Sequence, residues 1–470
     1  MFQYLIIQKA TVFLALDKKE RTRIAAIDDS GRSVTYGELC DFSQAFAGNL
    51  SPRSLIFILS ENCIGSLAGY VASLSNLVVP LILSAVTEEG LYRNLYEKYR
   101  PEYLWLPSRI AGEKAMKPLF QAWDYCLVKT GNPAVQMHEA LSLLLSTSGS
   151  TGSPKLVRHS YRNIEANADN VRRMFRLDGS EKAMAILPMH YTMGLSVVTS
   201  HLLAGATLLL SGRSLLDKGF WALLKEATSF TGVPYSYEIL TKMHFTRMDL
   251  PNLTVITQGG GKLTEATWNT LAQYAKDTHK QFIATYGQSE CTARMAYLPP
   301  ELALEKVCSI GVAEPGGQLS IVDDYGNETF EGEAQGELVY RGENVTLGYA
   351  TCLEDLAKGD ENHGVMRTGD LARRDADGCH FIIGRRKRFL KIYGQRIGLE
   401  DVERLIKNEF NTDCYCKGDD EKLIVLVTDA RLQEMLPAFL EEKTHLYRQR
   451  VEVRVVNELL RNEADKVIDQ

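Results

Sequence analysis

The chain has 470 residues, with 53 lysines and arginines against 59 aspartates and glutamates and 45% hydrophobic residues. That length supports a large core and about three domains of ordinary size, and the composition excludes wholesale disorder, collagen-like sequence and a small disulfide scaffold. A net charge of −6 gives no global attraction to nucleic acid or to an anionic membrane.

Met1 to Leu16 is apolar, but Lys9 interrupts it and no small-residue cleavage site follows, so it does not read as a signal peptide. Short β-like runs then alternate with helical patterns: Ser54 to Leu59, Val78 to Leu83, Tyr103 to Leu106, Leu141 to Leu145, Ala183 to Leu187, Ala206 to Leu210, Leu253 to Thr257 and Gln281 to Thr285. This order predicts a mainly parallel sheet covered by helices. Within it, Asn62 to Thr87 carries no charge and is long enough to span a membrane. Its Asn62, Ser66, Ser73, Ser75, Asn76, Pro80 and Ser84 favour instead a buried helix followed by a strand over 78–83.

From about Ser309 the texture becomes one of hairpins. Strands are expected at Gln318 to Val322, Gly336 to Tyr340 and His380 to Ile383, with turns at Asp324-Tyr-Gly326, Gly342 and Asp377-Gly378. A basic run, Arg385 to Arg396, holds six positive residues and no acid. Beyond it a helix near Leu399 to Glu409, a strand at Leu423 to Thr428, a helix near Leu432 to Lys443 and a strand at Val451 to Val456 describe a compact α+β unit. The nine cysteines, at 40, 63, 126, 291, 308, 352, 379, 414 and 416, are odd in number and lack a repeated spacing. They argue for a reducing, cytoplasmic compartment. Cys414 and Cys416 do not have the spacing of a structural zinc site.

The strongest local signal is an apolar run, Leu141 to Leu145, opening at Ser146 into Thr147-Ser148-Gly149-Ser150-Thr151-Gly152-Ser153-Pro154-Lys155. Glycines let backbone N–H groups approach an anion, hydroxyls add neutral donors and Lys155 supplies charge, so the loop suits phosphate oxygens. It is not a Walker sequence, because the Gly-Lys-Ser/Thr ending is missing.

This loop resembles the signature of the AMP-forming adenylating enzymes, which include acyl- and aryl-CoA synthetases, adenylation domains of peptide synthetases and firefly luciferase. Further elements occur in the family's order: Ser33-Val-Thr-Tyr-Gly-Glu-Leu39, Tyr286-Gly287-Gln288-Ser289-Glu290, Arg367-Thr-Gly-Asp370, and Gly384-Arg385 with Lys391 and Gly394-Gln-Arg396. The resemblance covers nearly the whole chain. It implies an α/β fold: an N-terminal domain over 1–385 of mixed β-sheets covered by helices, with a small β-barrel-like subdomain at about 309–385. A small mobile α+β lid over 386–470 follows, hinged near Lys387.

The same resemblance implies the chemistry: a carboxylic acid is activated by ATP as acyl-AMP, then transferred to a pantetheine thiol of coenzyme A or a carrier protein. Neither nucleic acid nor a stable membrane span is implied. Glu290 takes the place of the magnesium ligand, a task that suits a hard carboxylate oxygen. Tyr286, with Gly287, Gln288 and Ser289, takes the place beside adenine. Gly259, Gly260 and Gly261 let backbone come close to the nucleotide, Asp370 accepts from the ribose diol, and Arg385 helps hold the nucleotide. Tyr191 takes the place beside the acyl carboxylate, next to His190; Tyr235 and Ser236 take places in the acyl pocket wall. Amino-acid-activating relatives place an acid after the aromatic residue, where this chain has Thr192, which favours a simple organic acid, although Glu238 could substitute. Lys391 and Gly394 line the thiol tunnel by resemblance. Lys466 takes the place of the catalytic lysine, with Asp465 replacing the family's glycine. Two other readings remain open at this point, an amino-acid adenylation enzyme that loads a carrier and a non-catalytic nucleotide-binding relative.

Overall fold

The computed structural model describes residues 13–146, 155–385, 389–392, 395–419, 422–444, 446–461 and 467. The expected strands form, but not as one mainly parallel sheet. Those that precede the hairpin region, together with Val312–Ala313 and Tyr349–Ala350, divide between two large sheets. Sheet A runs Val312–Ala313, Ala296–Tyr297, Gln281–Tyr286, Val255–Gln258, Ser229–Gly232, Lys182–Ala185, Thr207–Leu210, Ile24–Asp28 and Ser33–Thr35 in spatial order. Sheet B runs Tyr349–Ala350, Leu156–Ser160, Leu141–Ser146, Val79–Ser84, Leu55–Ser60, Tyr103–Pro107, Tyr125–Lys129 and Phe120–Ala122. Each has a parallel centre and antiparallel edges. Periodicity assigns a side chain to a face and says nothing about which strand pairs with which, so it did not give the division into two sheets; the mixed β-sheets that the family resemblance implies are what the chain forms.

The strands of sheet B bury both faces. Leu55, Phe57 and Leu59 enter one hydrophobic cluster, whereas Ile56 and Ile58 enter another that also takes Ala26, Ala183, Leu208 and Leu210 of sheet A. Near-continuous apolar runs are what a two-sided parallel sheet requires, and each fully buried Leu, Ile or Phe contributes roughly 1.5–3 kcal/mol. The uncharged stretch forms helix Ile64–Ser75 and strand Val79–Ser84, with every helix residue from Ile64 to Leu74 buried. No described helix is long and apolar enough to cross a membrane.

The early Thr-Tyr-Gly-Glu motif has a local explanation. Thr35 caps helix Tyr36–Ala47, its hydroxyl accepting from the Glu38 amide at 3.1 Å while the Glu38 carboxylate accepts from the Thr35 amide at 2.7 Å. The pair is a capping box, which satisfies two helix-end donors.

The chain divides into two compact units, one of residues 1–147, 151–318 and 340–366, the other of 148–150, 319–339 and 367–470. In the hairpin region a five-stranded sheet is ordered Glu328–Thr329, Gly317–Val322, Ala334–Gly342, Val365–Arg374 and His380–Arg385. The C-terminal part of the second unit packs the expected helices, Leu399–Phe410 and Leu432–Thr444, on the expected strands Leu423–Val427 and Val451–Val455 and on a third, Cys414–Gly418, that the sequence reading did not expect. No disulfide joins any of the nine cysteines.

Candidate active site

Four neighbouring strands of sheet A, Lys182–Ala185, Ser229–Gly232, Val255–Gln258 and Gln281–Tyr286, run parallel. Their carboxyl ends therefore open on one side, the usual ligand position in such sheets. The loops leaving them carry His190 to Thr192, Val233 to Ser236, Gly259 to Gly261 and Tyr286 to Glu290, so residues far apart in sequence converge.

The contacts are close. A Cβ added at Gly260, whose φ is +79°, would stand 2.5 Å from the Tyr191 hydroxyl; one at Gly259 would stand 2.7 Å from Met193 Sδ. The Thr192 and Ser289 hydroxyls are hydrogen-bonded at 2.8 Å. Burial raises the Tyr191 phenol pKa, opposed by the charge of Arg294, so the group stays a neutral donor. His190 reaches the other way, its Nδ1 3.5 Å from Ser60 Oγ at the end of a sheet B strand. Ser236 is buried in the first turn of helix Pro234–Lys242, whereas Tyr235 beside it is 50% exposed.

Glu290 sits in a short 3-10 turn, Ser289–Cys291, followed by Thr292 (φ 53°) and Ala293 (φ 91°) in left-handed conformations. Such backbone costs roughly 1–3 kcal/mol per residue and persists only where its surroundings hold it. Here the holding groups come from 344–349, which the sequence reading passed over. Asn344 Nδ2 donates to the carbonyls of Cys291 (2.9 Å) and Arg294 (3.0 Å), and the Asn344 backbone carbonyl accepts from Thr292 Oγ1 (2.8 Å). The Thr346 amide and hydroxyl both donate to the Glu290 carbonyl at 3.0 Å. The Tyr349 hydroxyl donates to Glu290 Oε1 at 2.5 Å.

The Glu290 carboxylate offers hard oxygens of the kind magnesium takes. No group of three or more His, Cys, Asp or Glu capable of holding a metal occurs among the described residues. A site of this kind fits magnesium, which takes one or two carboxylates and completes its shell with water and substrate phosphates.

The phosphate loop, Thr147 to Gly152, lies outside the described residues. Its flanking strands, Leu141–Ser146 and Leu156–Ser160, form an antiparallel pair with Ser146 opposite Leu156. The Lys155 ammonium lies 5.3 Å from the centre of the Tyr349 ring.

Behind the Glu290 turn lies a buried polar layer that no spacing rule points to. Glu314 Oε1 accepts from Asn170 Nδ2 (3.1 Å), the Tyr340 hydroxyl (3.1 Å) and Asn344 Nδ2 (2.8 Å). Arg294 donates from Nη1 to Ser196 Oγ at 2.9 Å, and its guanidinium lies 5.2 Å from the centre of the Phe175 ring. The available signal was a charged residue in each of two apolar stretches, Ala293-Arg294-Met295 and Val312-Ala313-Glu314.

Burial lifts the Glu314 carboxyl from 4.5 to about 8, against the hydrogen bonds of Asn170 and Tyr340 and the charges of Arg294 and Arg173. Between those values the folded chain holds a proton that the unfolded chain has released. The stabilising contribution is therefore complete below about pH 4.5 and is lost as the pH rises through about 8. Glu314→Gln is expected to flatten the fall in melting temperature between pH 5 and 8. Thermal unfolding across that range checks it, and a slope equal to wild type would refute it.

In the second unit, Asp370 is buried and stands opposite Arg385 in the antiparallel pair. Arg385 Nε lies 3.1 Å from Asp370 Oδ1 and 3.6 Å from Glu400 Oε1 of helix Leu399–Phe410. Two residues read separately thus form one ion pair. Arg367 is paired with Glu337 at 2.5 Å, and the Thr368 hydroxyl donates to the Leu338 carbonyl at 2.8 Å. Lys391 belongs to a hairpin, Phe389–Ile392 with Gln395–Gly398. Lys387, Gly394 and Lys466 lie outside the described residues.

Residues 15–350 match the family model of the AMP-binding enzyme. The chain is 25% identical to a 2-succinylbenzoate–CoA ligase of Oceanobacillus iheyensis over 463 residues, 94% of each chain. It is 30% identical to an oxalate–CoA ligase of Arabidopsis thaliana over 274 residues, 56% of this chain and 52% of that one. Among solved structures it resembles o-succinylbenzoate CoA synthetase of Bacillus subtilis in complex with its acyl-adenylate intermediate, with a TM-score of 0.79, 20% identity and 97% of each chain covered.

Proposed function

The chain belongs to the AMP-binding enzyme family, and from that premise we propose that it is an AMP-forming acid–thiol ligase. A carboxylate oxygen attacks the α-phosphorus of ATP, the bond to pyrophosphate breaks, and acyl-AMP forms. A thiol sulfur then attacks the acyl carbon, AMP leaves, and a thioester results. The acceptor is coenzyme A, in keeping with relatives named as CoA ligases. The observation that carries this reading is the convergence of Tyr191, Gly259 to Gly261 and Tyr286 to Glu290 at the carboxyl ends of parallel strands.

Each residue then has a task. Glu290 would hold magnesium, whose positive charge offsets that of the phosphates. Lys155 and the loop Thr147 to Gly152 bind phosphate oxygens, and Tyr286 lies against adenine. Asp370 binds the ribose hydroxyls, with its pairing to Arg385 holding both in place. Tyr191 borders the acid's carboxylate. Positioning and charge neutralisation supply most of the catalysis in such transfers. Thr192 bonded to Ser289 leaves no counter-charge at that place for a substrate ammonium, which supports an organic acid rather than an α-amino acid. The lid over 386–470 turns about Lys387 between the two half-reactions. Nine cysteines without a repeated spacing support a cytoplasmic location.

ATP–pyrophosphate exchange across a panel of mono- and dicarboxylic acids and amino acids tests the reading. Exchange driven by an organic acid is the expected result; silence from every acid while ATP still binds would overturn it. Gly394→Leu is expected to leave exchange near wild type and to block thioester formation, measured as CoA consumption. Equal loss of both half-reactions would remove Gly394 from the thiol tunnel.

A further inference from the structure

One aromatic side chain touches both the carboxylate and the ammonium on which the proposed phosphate chemistry depends. Tyr349 donates its hydroxyl to Glu290 Oε1 at 2.5 Å, and its ring lies under the Lys155 ammonium, 5.3 Å away. These two partners come from different segments, both remote from Tyr349 in sequence. Strand Tyr349–Ala350 pairs with Val157 and Leu156, immediately after Lys155, so its register sets where the ring stands.

That register is held from beneath. Arg158, whose side chain is fully buried, donates from Nε to the Tyr349 carbonyl (3.0 Å) and from Nη2 to the Leu347 carbonyl (2.9 Å). It also donates from Nη1 to the Gly359 carbonyl at 3.1 Å and is paired with Glu361. The backbone pairs on both sides, with the Leu347 amide donating to the Arg158 carbonyl and the Arg158 amide to the Gly348 carbonyl, each at 2.9 Å. A buried guanidinium spent on a loop's carbonyls leaves that loop little freedom, because each broken bond would strand a charged donor.

We infer that Tyr349 is a positioning residue for adenylation: its hydroxyl orients the Glu290 carboxylate toward the metal, and its ring face seats the Lys155 ammonium at the root of the phosphate loop. This rests on the assignment of Glu290 as metal ligand. Groups that orient a metal ligand without touching the metal set affinity by about 10- to 100-fold. A cation over an aromatic face is worth a few-fold in binding at exposed sites.

Two substitutions separate the two contacts. Tyr349→Phe keeps the ring and loses the hydroxyl; Tyr349→Leu loses both. Manganese binding to the full-length protein with a non-hydrolysable ATP analogue, followed by electron paramagnetic resonance, is expected to weaken about 10-fold in Tyr349→Phe. The KM for the acid and the melting temperature should stay at wild-type values. Tyr349→Leu is expected to add a further rise of about 3-fold in the KM for ATP.

Wild-type manganese affinity in Tyr349→Phe, alongside weakened binding in Glu290→Gln, would overturn the positioning role and leave the metal assignment standing. Wild-type affinity in Glu290→Gln would overturn the metal assignment itself, and the inference with it. A drop in melting temperature in Tyr349→Phe with the ratio of manganese to ATP-analogue affinity unchanged would make Tyr349 structural only.

Discussion

Lys466→Ala is expected to lower carboxylate-dependent ATP–pyrophosphate exchange by about 10²- to 10³-fold, the loss typical of removing one group that meets charge developing in a transition state. The lysine would lie between the attacking carboxylate and the α-phosphate, two anions that repel as they approach. Neutralising that repulsion matters only during adenylation. Thioester formation from a synthetic acyl-adenylate should therefore proceed at close to the wild-type rate. The melting temperature should stay at the wild-type value. The positions flanking 462–466 are paired: Arg461 bonds Asp413 at 2.6 Å, and its backbone bridges to Val467. Exchange retained in the alanine variant would remove Lys466 from the mechanism.

Gly287→Ala is expected to abolish metal-dependent nucleotide binding and to lower the melting temperature together. A methyl group at Gly287 would stand 1.4 Å from the Ala293 carbonyl oxygen and 2.8 Å from the Arg294 Cα. Both are backbone atoms, so no side-chain rotation relieves the clash. The turn is closed by the Ala293 amide on the Gln288 carbonyl (3.2 Å) and the Met295 amide on the Tyr286 carbonyl (2.9 Å). Making room for the methyl displaces the segment that carries Glu290, at a cost of about 1–3 kcal/mol for overpacking of this kind. Gly384→Ala is the control. It sits in another element of the family pattern, with nothing within 4 Å of an added Cβ, and it should change neither measurement. Differential scanning calorimetry and nucleotide titration read both variants, and a silent Gly287→Ala would contradict the geometry.

Part of the candidate site was legible as short contiguous strings. The family resemblance picks out the Tyr286 to Glu290 element and the glycines 259–261, and the structure brings both to the carboxyl ends of neighbouring parallel strands. The support of that site was not legible. Asn344, Thr346 and Tyr349 act on the Glu290 turn from a segment remote in sequence, and Asn, Thr and Tyr at those spacings match no pattern. Asp370 and Arg385 were each singled out as polar residues of interest, yet their pairing depends on the register between two antiparallel strands. The Thr35 to Glu38 capping box shows the reverse case, a family motif whose local reason is helix initiation.

By itself the sequence determined the alternation of strands and helices and the order of the motifs, because periodicity and residue type act over a few neighbours; the chemistry followed from the family those motifs resemble. Tertiary structure alone decided that the strands divide between two sheets, that four loops meet at parallel carboxyl ends, and that a buried Glu314 and Arg294 lie behind the Glu290 turn. Those outcomes depend on which surfaces bury each other. A charged side chain in an apolar strand has no local sign of whether it will face water or be held, as Glu314 is, by Asn170, Tyr340 and Asn344.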